Sequence, residues 1–169
     1  NQLEEGKTKL KDGQQQLANQ EGKLVQSQNE LAQNQASLNR GNQEIQQAKQ
    51  NLQNQFELLE ATRIQLETSK QTLDQQNSTL QEGRKKLAEA EKQFESQKEK
   101  GLPQTALSAM QEKILQQKQE LDTETTAYEQ GLTQYENGWA SYQEGLKQYQ
   151  EGLAILQAKQ NTLDAGQKA

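Results

Sequence analysis

The chain has 169 residues, of which 30% are hydrophobic and 25% are charged, and its mean hydropathy is -1.22. This is too little apolar material for a globular core in a chain of this length, so the composition fits either disorder or long helices that bury a narrow stripe. The net charge is -5 with both signs interspersed, which excludes a basic surface that would follow nucleic acid. Cysteine and histidine are absent, which excludes disulfides, thiol and imidazole chemistry and a His/Cys zinc site.

The first part of the chain carries a large apolar residue at every seventh position. A seven-residue period is two turns of α-helix, so these residues form one stripe along a helix. Three residues after each large residue stands a small or polar one, as at Gly6, Ala48 and Ser69. Alternating large and small residues predict a helix that approaches a partner closely and buries little apolar area per turn. This ladder is Leu3, Leu10, Leu17, Leu24, Leu31, Leu38, Ile45, Leu52, Leu59, Leu66, Leu73, Leu80, Leu87 and Phe94.

The ladder is interrupted at Gly101 and Pro103, where glycine can end a helix in the left-handed conformation and proline cannot continue it. It restarts at Leu107, and either Ser108, with Gln111 as a capping box, or Thr105 could cap the new helix. The sequence therefore predicts an all-α fold, a long antiparallel helical hairpin of coiled-coil type. Its predicted parts are a first helix at 1–99, a turn at 100–107 and a second helix at 108–169.

Three residue classes recur every seven positions in the second helix. Each glycine inside a helix costs about 1 kcal/mol relative to alanine, so a regular glycine row predicts close packing beside bulky side chains. The alternative is that glycine merely loosens an exposed face. The rows are Tyr128, Tyr135, Tyr142 and Tyr149; Gly131, Gly138, Gly145 and Gly152; and Leu132, Trp139, Leu146 and Leu153.

The pairing of the two helices can be predicted by placing Phe94 level with Leu107 beside the turn, which sets Leu59 opposite Tyr142. In this register residues 1–37 have no partner. A segment following Ala169 is the preferred partner for them; a second copy of the chain, or a bend at residues 39–41 that folds them back, are the alternatives. Both ends fall inside running heptads, the start lacks the apolar segment of a signal peptide, and no apolar run approaches the roughly 18 residues that cross a bilayer. We therefore expect the chain to be a piece of a longer protein.

The sequence contains no constellation that predicts catalysis, cofactor binding or metal binding. Acidic pairs such as Glu4 and Glu5 belong to a charged helix surface, where solvated carboxylates are the rule, and the spaced glycines do not form a phosphate loop. The densest apolar region is usually a reinforced section of core in such a helix, and the alternative is a protein-docking site. The candidate docking residues are Phe56, Leu58, Tyr135, Trp139 and Tyr142.

Three repeats carry a resemblance to a known family: LEEGKTKLKDGQQQL at 3–17, LQEGRKKLAEAEKQF at 80–94 and YEQGLTQYENGWASYQEGLKQYQEGL at 128–153. They resemble the extracytoplasmic coiled-coil insertions of FtsX/MacB-like ABC transporter permeases of Gram-positive bacteria. Similar glycine-marked repeats occur in phage-infection-protein-like membrane proteins and in Gram-positive MmpL-type exporters. The absence of cysteine suits such an extracytoplasmic location.

The resemblance implies a non-enzymatic stalk on the extracellular face of the cytoplasmic membrane, attached through flanking segments and coupled to an extracellular protein partner or a second copy. It implies no catalytic residues, because the ATPase is a separate polypeptide or domain. The alternative is the hairpin of a membrane fusion protein or a surface adhesin stalk. Fusion-protein hairpins usually present an arginine at the tip, and this chain has none after Arg84. An intracellular scaffold is a third alternative, since a coiled coil by itself does not indicate a cellular location.

Overall fold

A computed structural model describes residues 1–168, which form two helices, and Ala169 at the end of the predicted second helix lies outside them. Helix α1 spans Gln2–Glu99 and helix α2 spans Gln104–Lys168, and the described residues contain no strand. The two helices pack against each other. The predicted all-α helical hairpin is confirmed. Long runs of Gln, Leu, Glu and Lys, all good helix formers, support both helices, and the one proline lies between them.

Gly101 ends α1, as predicted, by adopting a positive φ of 75°. In this conformation the N–H of Gly101 donates to the carbonyl of Lys98 at 3.1 Å, and the N–H of Leu102 donates to the carbonyl of Gln97 at 3.2 Å. These two bonds form a Schellman motif, which satisfies carbonyls that have no partner within the helix. A side chain at Gly101 would strain this backbone, so glycine is required here for its conformation.

Helix α2 begins at Gln104, four residues before the start that the capping-box prediction gave. The carbonyl of Pro103 accepts hydrogen bonds from the N–H groups of Ala106 and Leu107, at 3.0 and 3.1 Å. Thr105 and Ser108 both lie inside the helix, so neither occupies the cap position that the sequence suggested. Proline at this boundary loses no hydrogen bond by lacking an N–H, which explains why the helix can start directly after it.

The hairpin divides into two compact units, which are described separately. The turn unit comprises Gln55–Gln150, and the terminal unit comprises Asn1–Asn54 with Glu151–Ala169. In the turn unit the ladder residues Leu66, Leu73 and Leu80 are buried. In the terminal unit Ile45 and Leu52 are buried. Helix α2 has no fully buried residue, so the ladder of α1 supplies the core of each unit.

The first third of α1 has no cover in the terminal unit. All residues at 1–37 are exposed, and α1 continues as a helix through residues 39–41. The alternative in which a bend at these residues folds the start of the chain back is therefore wrong. The expectation that this part has no partner within the hairpin is confirmed for the described residues.

Candidate functional site

The two helices meet in the turn unit along what we call the leucine–glycine seam, where ladder leucines of α1 face the glycine row of α2. A β-carbon placed on Gly131 or on Gly138 would lie 3.1 or 3.0 Å from a δ-carbon of the facing leucine. Nine in ten real contacts of a β-carbon are longer than this, so the leucines reach the backbone of α2 only because glycine leaves room. The seam pairs are Leu73 with Gly131, Leu66 with Gly138 and Leu59 with Gly145.

The terminal unit repeats this arrangement. A β-carbon on Gly152 would come within 2.7 Å of Leu52. In this unit a glycine of α1 also faces a leucine of α2: a β-carbon on Gly41 would lie 2.8 Å from Leu163. The predicted close packing is thus confirmed at the α2 glycine row. The alternative, that this row merely loosens an exposed face, is wrong. By contrast, nothing lies within 4 Å of a β-carbon position on Gly6, Gly13 or Gly22 of α1.

The register of the hairpin differs from the predicted one. Leu59 faces Gly145, whereas the sequence-based pairing placed it opposite Tyr142, three residues away. In an antiparallel pair the chain directions are opposed. The large ladder residue of one helix therefore packs beside the small residue that stands three positions after a ladder residue in the other helix. The predicted pairing set large residue against large residue and was wrong for this reason. The observed pairing sets leucine against glycine, which lets the two backbones come closer.

Three of the five candidate docking residues take part in aromatic pairs in the turn unit. Phe56 is 44% exposed and its ring lies 5.8 Å from that of Tyr149, centroid to centroid. Trp139 is 41% exposed and stacks on Tyr142 at 5.3 Å. Stacked or tilted rings at these distances attract each other beyond their apolar burial. Leu58 is 69% exposed.

Tyr135, the fifth docking candidate, is half-buried. Tyr149 was not among the docking candidates, although it belongs to the same tyrosine row as Tyr142. The observed register brings Tyr149 to Phe56, so only a correct pairing of the helices could have identified it. The aromatic side chains therefore combine partial burial in the hairpin with an accessible edge.

In each unit an ion pair links the two helices. In the turn unit Lys118 Nζ lies 2.6 Å from a carboxylate oxygen of Glu91. In the terminal unit Lys159 Nζ lies 3.9 Å from Glu44. About half of each lysine side chain is exposed, so water screens both pairs and they contribute little to stability compared with the seam.

Other ion pairs lie along the outer surface of α1. Arg63 donates hydrogen bonds to both Glu60 and Glu67. The pKa of Arg63 is raised mainly by its hydrogen bond to Glu60 and by the negative charge of that carboxylate. The pKa of Lys70 is raised by its hydrogen bond to Asp74, at 2.9 Å, and by that carboxylate's charge. These pairs are spaced three or four residues apart, as on any solvated helix surface.

The described residues contain neither a candidate membrane span nor a candidate metal site. No helix at 1–168 is long and apolar enough to cross a membrane. No group of three or more acidic, His or Cys residues in the same range is placed to hold a metal ion. The leucine–glycine seam and the surfaces beside it are thus the features on which a functional argument can rest.

The protein is therefore an all-α helical hairpin in which leucine side chains of α1 pack against glycines of α2. Comparison with protein families, characterised proteins and solved structures finds no match for the chain.

The register gives a direct experimental prediction, because the chain has no cysteine of its own. Cysteines at Leu59 and Gly145 should cross-link rapidly within one chain under mild oxidation or with a short bifunctional maleimide. Cysteines at Leu59 and Gly138 should not, since one heptad separates the two glycine positions by about 10 Å along α2. Mass spectrometry of the monomer band distinguishes the two. Preferential cross-linking of the Gly138 variant would show that the helices pair one heptad away from the observed register.

Proposed function

We propose that the chain is a non-enzymatic extracellular stalk of a membrane ABC transporter permease. In this role the hairpin couples transport or mechanotransmission to a partner outside the membrane, and flanking segments attach it to the membrane. The proposal combines the resemblance of the three repeats with a mechanical property of the seam.

The observation that carries the proposal is the regular seating of leucines on glycines. In the turn unit three successive leucines each sit against one glycine of α2 at 3.0 to 3.1 Å from the position of its missing β-carbon. For α1 to slide along α2, each leucine must leave its glycine and cross the intervening turns before the next glycine, about 10 Å further on. The bulky intervening residues oppose small displacements. A hairpin built in this way transmits an axial push or pull from one helix to the other.

The seam also accounts for the mixture of glycine and aromatic residues. Glycine lets the helices approach, and the tyrosine row three residues before the glycines is half-buried. A stalk needs stiffness along its length and no enclosed cavity for a ligand. The alternative to the lever is a docking surface for an extracellular protein partner at the partly exposed rings of Phe56 and Trp139.

The location can be tested because a single introduced cysteine is the only thiol of this chain. We expect Gln81→Cys, at an exposed position, to be labelled in intact Gram-positive cells by a membrane-impermeant maleimide when the full-length protein is expressed. The control is the same reaction after lysis, with a cytoplasmic thiol protein followed in parallel. Labelling of Gln81→Cys that appears only after lysis, together with the cytoplasmic protein, would rule out the extracellular stalk.

A further inference from the structure

The seam of the turn unit has more than one alignment in which leucines meet glycines. The glycine row of α2 has three members in this unit, and the member nearest the turn, Gly131, faces Leu73. The ladder of α1 continues towards the turn with Leu80, one heptad further on. If α2 moved by one heptad towards the turn, each of the three glycines would exchange its leucine for the next one. The unit would then keep as many leucine–glycine contacts as it has now.

Other displacements of α2 would not keep the seam closed. Moving α2 by three residues away from the turn sets Leu66 opposite Tyr135, and moving it by four residues towards the turn sets Leu66 opposite Tyr142. Two large side chains at one level hold the helix backbones apart. A full heptad away from the turn sets Leu73 opposite Glu124 and removes one leucine–glycine contact from the unit. One heptad towards the turn is therefore the displacement that the sequence permits.

The observed register packs imperfectly between the glycine row and the turn. One heptad before Gly131 the seam position of α2 is Glu124, opposite Leu80, and both residues line a cleft of about 390 Å³. One heptad nearer the turn the position is Gln117, whose Oε1 is buried without a hydrogen-bond partner, which costs free energy. The shift would seat Leu80 on Gly131. It would also move Gln117 opposite Phe94, the last ladder residue of α1, where fewer side chains exclude water.

A second start signal for α2 supplies the length of chain that the shift needs. Ser108 and Gln111 form a capping box that the observed helix does not use as its start. After the shift Glu99, the last residue of α1, would lie level with Glu112. If α2 then began after Ser108, residues 100–108 would connect the helices. A segment of this length easily spans the roughly 10 Å between packed helix axes.

The shift also has a cost, which explains why the other register is the observed one. Unwinding residues 104–107 breaks the hydrogen bonds to the carbonyl of Pro103 and uncovers Leu107, which is half-buried. In addition, Gly83 of α1 loses its close contact with Leu121. These losses make the observed register the more stable of the two.

We propose that the turn unit changes between two registers one heptad apart, so that the hairpin is a two-position device. In the second register α2 lies about 10 Å nearer the turn and begins after Ser108. The ion pair between the helices persists, because Lys118 lies five residues from the level of Glu91 in the observed register and two residues from it in the second. The proposal rests on the seam and on the start of α2, and it holds whether or not the chain is a stalk. The seam pairs of the second register are Leu66 with Gly145, Leu73 with Gly138 and Leu80 with Gly131.

Three cysteine pairs that share Leu73→Cys test for the second register in the whole chain. Gly131→Cys reports the observed register, and Gly138→Cys reports the second one. Glu124→Cys is the matched control, because Glu124 lies one heptad from Gly131 on the other side. In a glutathione redox buffer at low protein concentration, we expect the Gly138 pair to form its intramolecular disulfide more slowly than the Gly131 pair and at least tenfold faster than the Glu124 pair. Equal rates for the Gly138 and Glu124 pairs, or disulfides between chains alone, would overturn the proposal.

Amide hydrogen exchange of the cross-linked chains reports where α2 begins. With the disulfide at Gly138→Cys, the amides of residues 104–107 should exchange at least tenfold faster than with the disulfide at Gly131→Cys, while residues 114–145 stay protected. Unchanged exchange at residues 104–107 would contradict the proposal. Loss of protection along residues 114–145 would mean that the cross-link unfolds the hairpin, and the second register would be ruled out.

The Ser108→Ala substitution tests the second start directly. It should slow formation of the Gly138→Cys disulfide about fivefold, the usual effect of losing a helix cap. It should not slow the Gly131→Cys disulfide, since Ser108 lies inside α2 in the observed register. An equal effect on both disulfides, or none on either, would show that Ser108 does not start α2 in a second register, and the proposal would be wrong.

Discussion

Replacing Gly138 and Gly145 together by leucine is expected to destabilise the hairpin by at least about 2 kcal/mol. Even a single β-carbon at either glycine would lie 3.0 Å from a leucine δ-carbon, so a whole leucine side chain cannot fit without separating the helices. Separation would expose Leu66, which is now buried, and burial of one leucine is worth about 1.5 to 3 kcal/mol. Removing two helical glycines gains back about 1 kcal/mol each. Overpacking costs about 1 to 3 kcal/mol at each of the two sites in addition to the lost burial of Leu66, so the net effect is a loss of stability. Urea unfolding followed by circular dichroism measures the change.

The matched control is the same substitution at Gly6 and Gly13, which hold the equivalent small position of the repeat on α1 with nothing within 4 Å. Here the gain in helix propensity is unopposed, and the variant should be as stable as the parent chain or slightly more so. Gly138→Ala gives an intermediate case, since the end of a leucine side chain can yield by a few tenths of an ångström. Equal effects at both pairs of sites would show that the glycine row does not govern the contact.

The helices and their buried stripe were predictable because a strict seven-residue period specifies one face of a helix whatever its partner is. The end of α1 was also predictable, since Gly101 is the residue that tolerates the positive φ found there. The start of α2 was not. Ser108 and Gln111 match a capping pattern, but Pro103 already supplies the first carbonyl five residues before Ser108, and the sequence does not show which of the two starts is used.

Register was the main feature that the sequence did not determine. The period of seven allows several alignments, and level pairing of Phe94 with Leu107 seemed natural beside a short turn. The antiparallel geometry instead seats Leu59, Leu66 and Leu73 on glycines, three residues from their predicted partners. The error carried over to the candidate docking site. The predicted register placed Phe56 near Trp139 and Tyr142, whereas in the structure Phe56 packs on Tyr149.

The stalk role predicts that function depends on the length of the hairpin and on the continuity of its seam. Deleting residues 66–72 of α1 together with residues 132–138 of α2, which face them in the observed register, removes one heptad from each helix. The remaining leucines still meet glycines, so the fold should persist with each helix shorter by about 10 Å. We expect this paired deletion to impair transport or signalling by the full-length protein in cells, with surface expression measured as the control.

Deletion of residues 66–72 alone should impair the protein more, because it shifts the pairing of α1 with α2 by one heptad and staggers their ends. Phe56→Leu with Trp139→Leu should be comparatively mild if the stalk works as a lever, since both rings are more than 40% exposed and leucine keeps the apolar contact. The paired deletion and the aromatic substitutions thus separate two mechanisms. Normal activity of the shortened hairpin, combined with loss of activity on substituting the two rings, would replace the lever with a docking surface around Phe56 and Trp139.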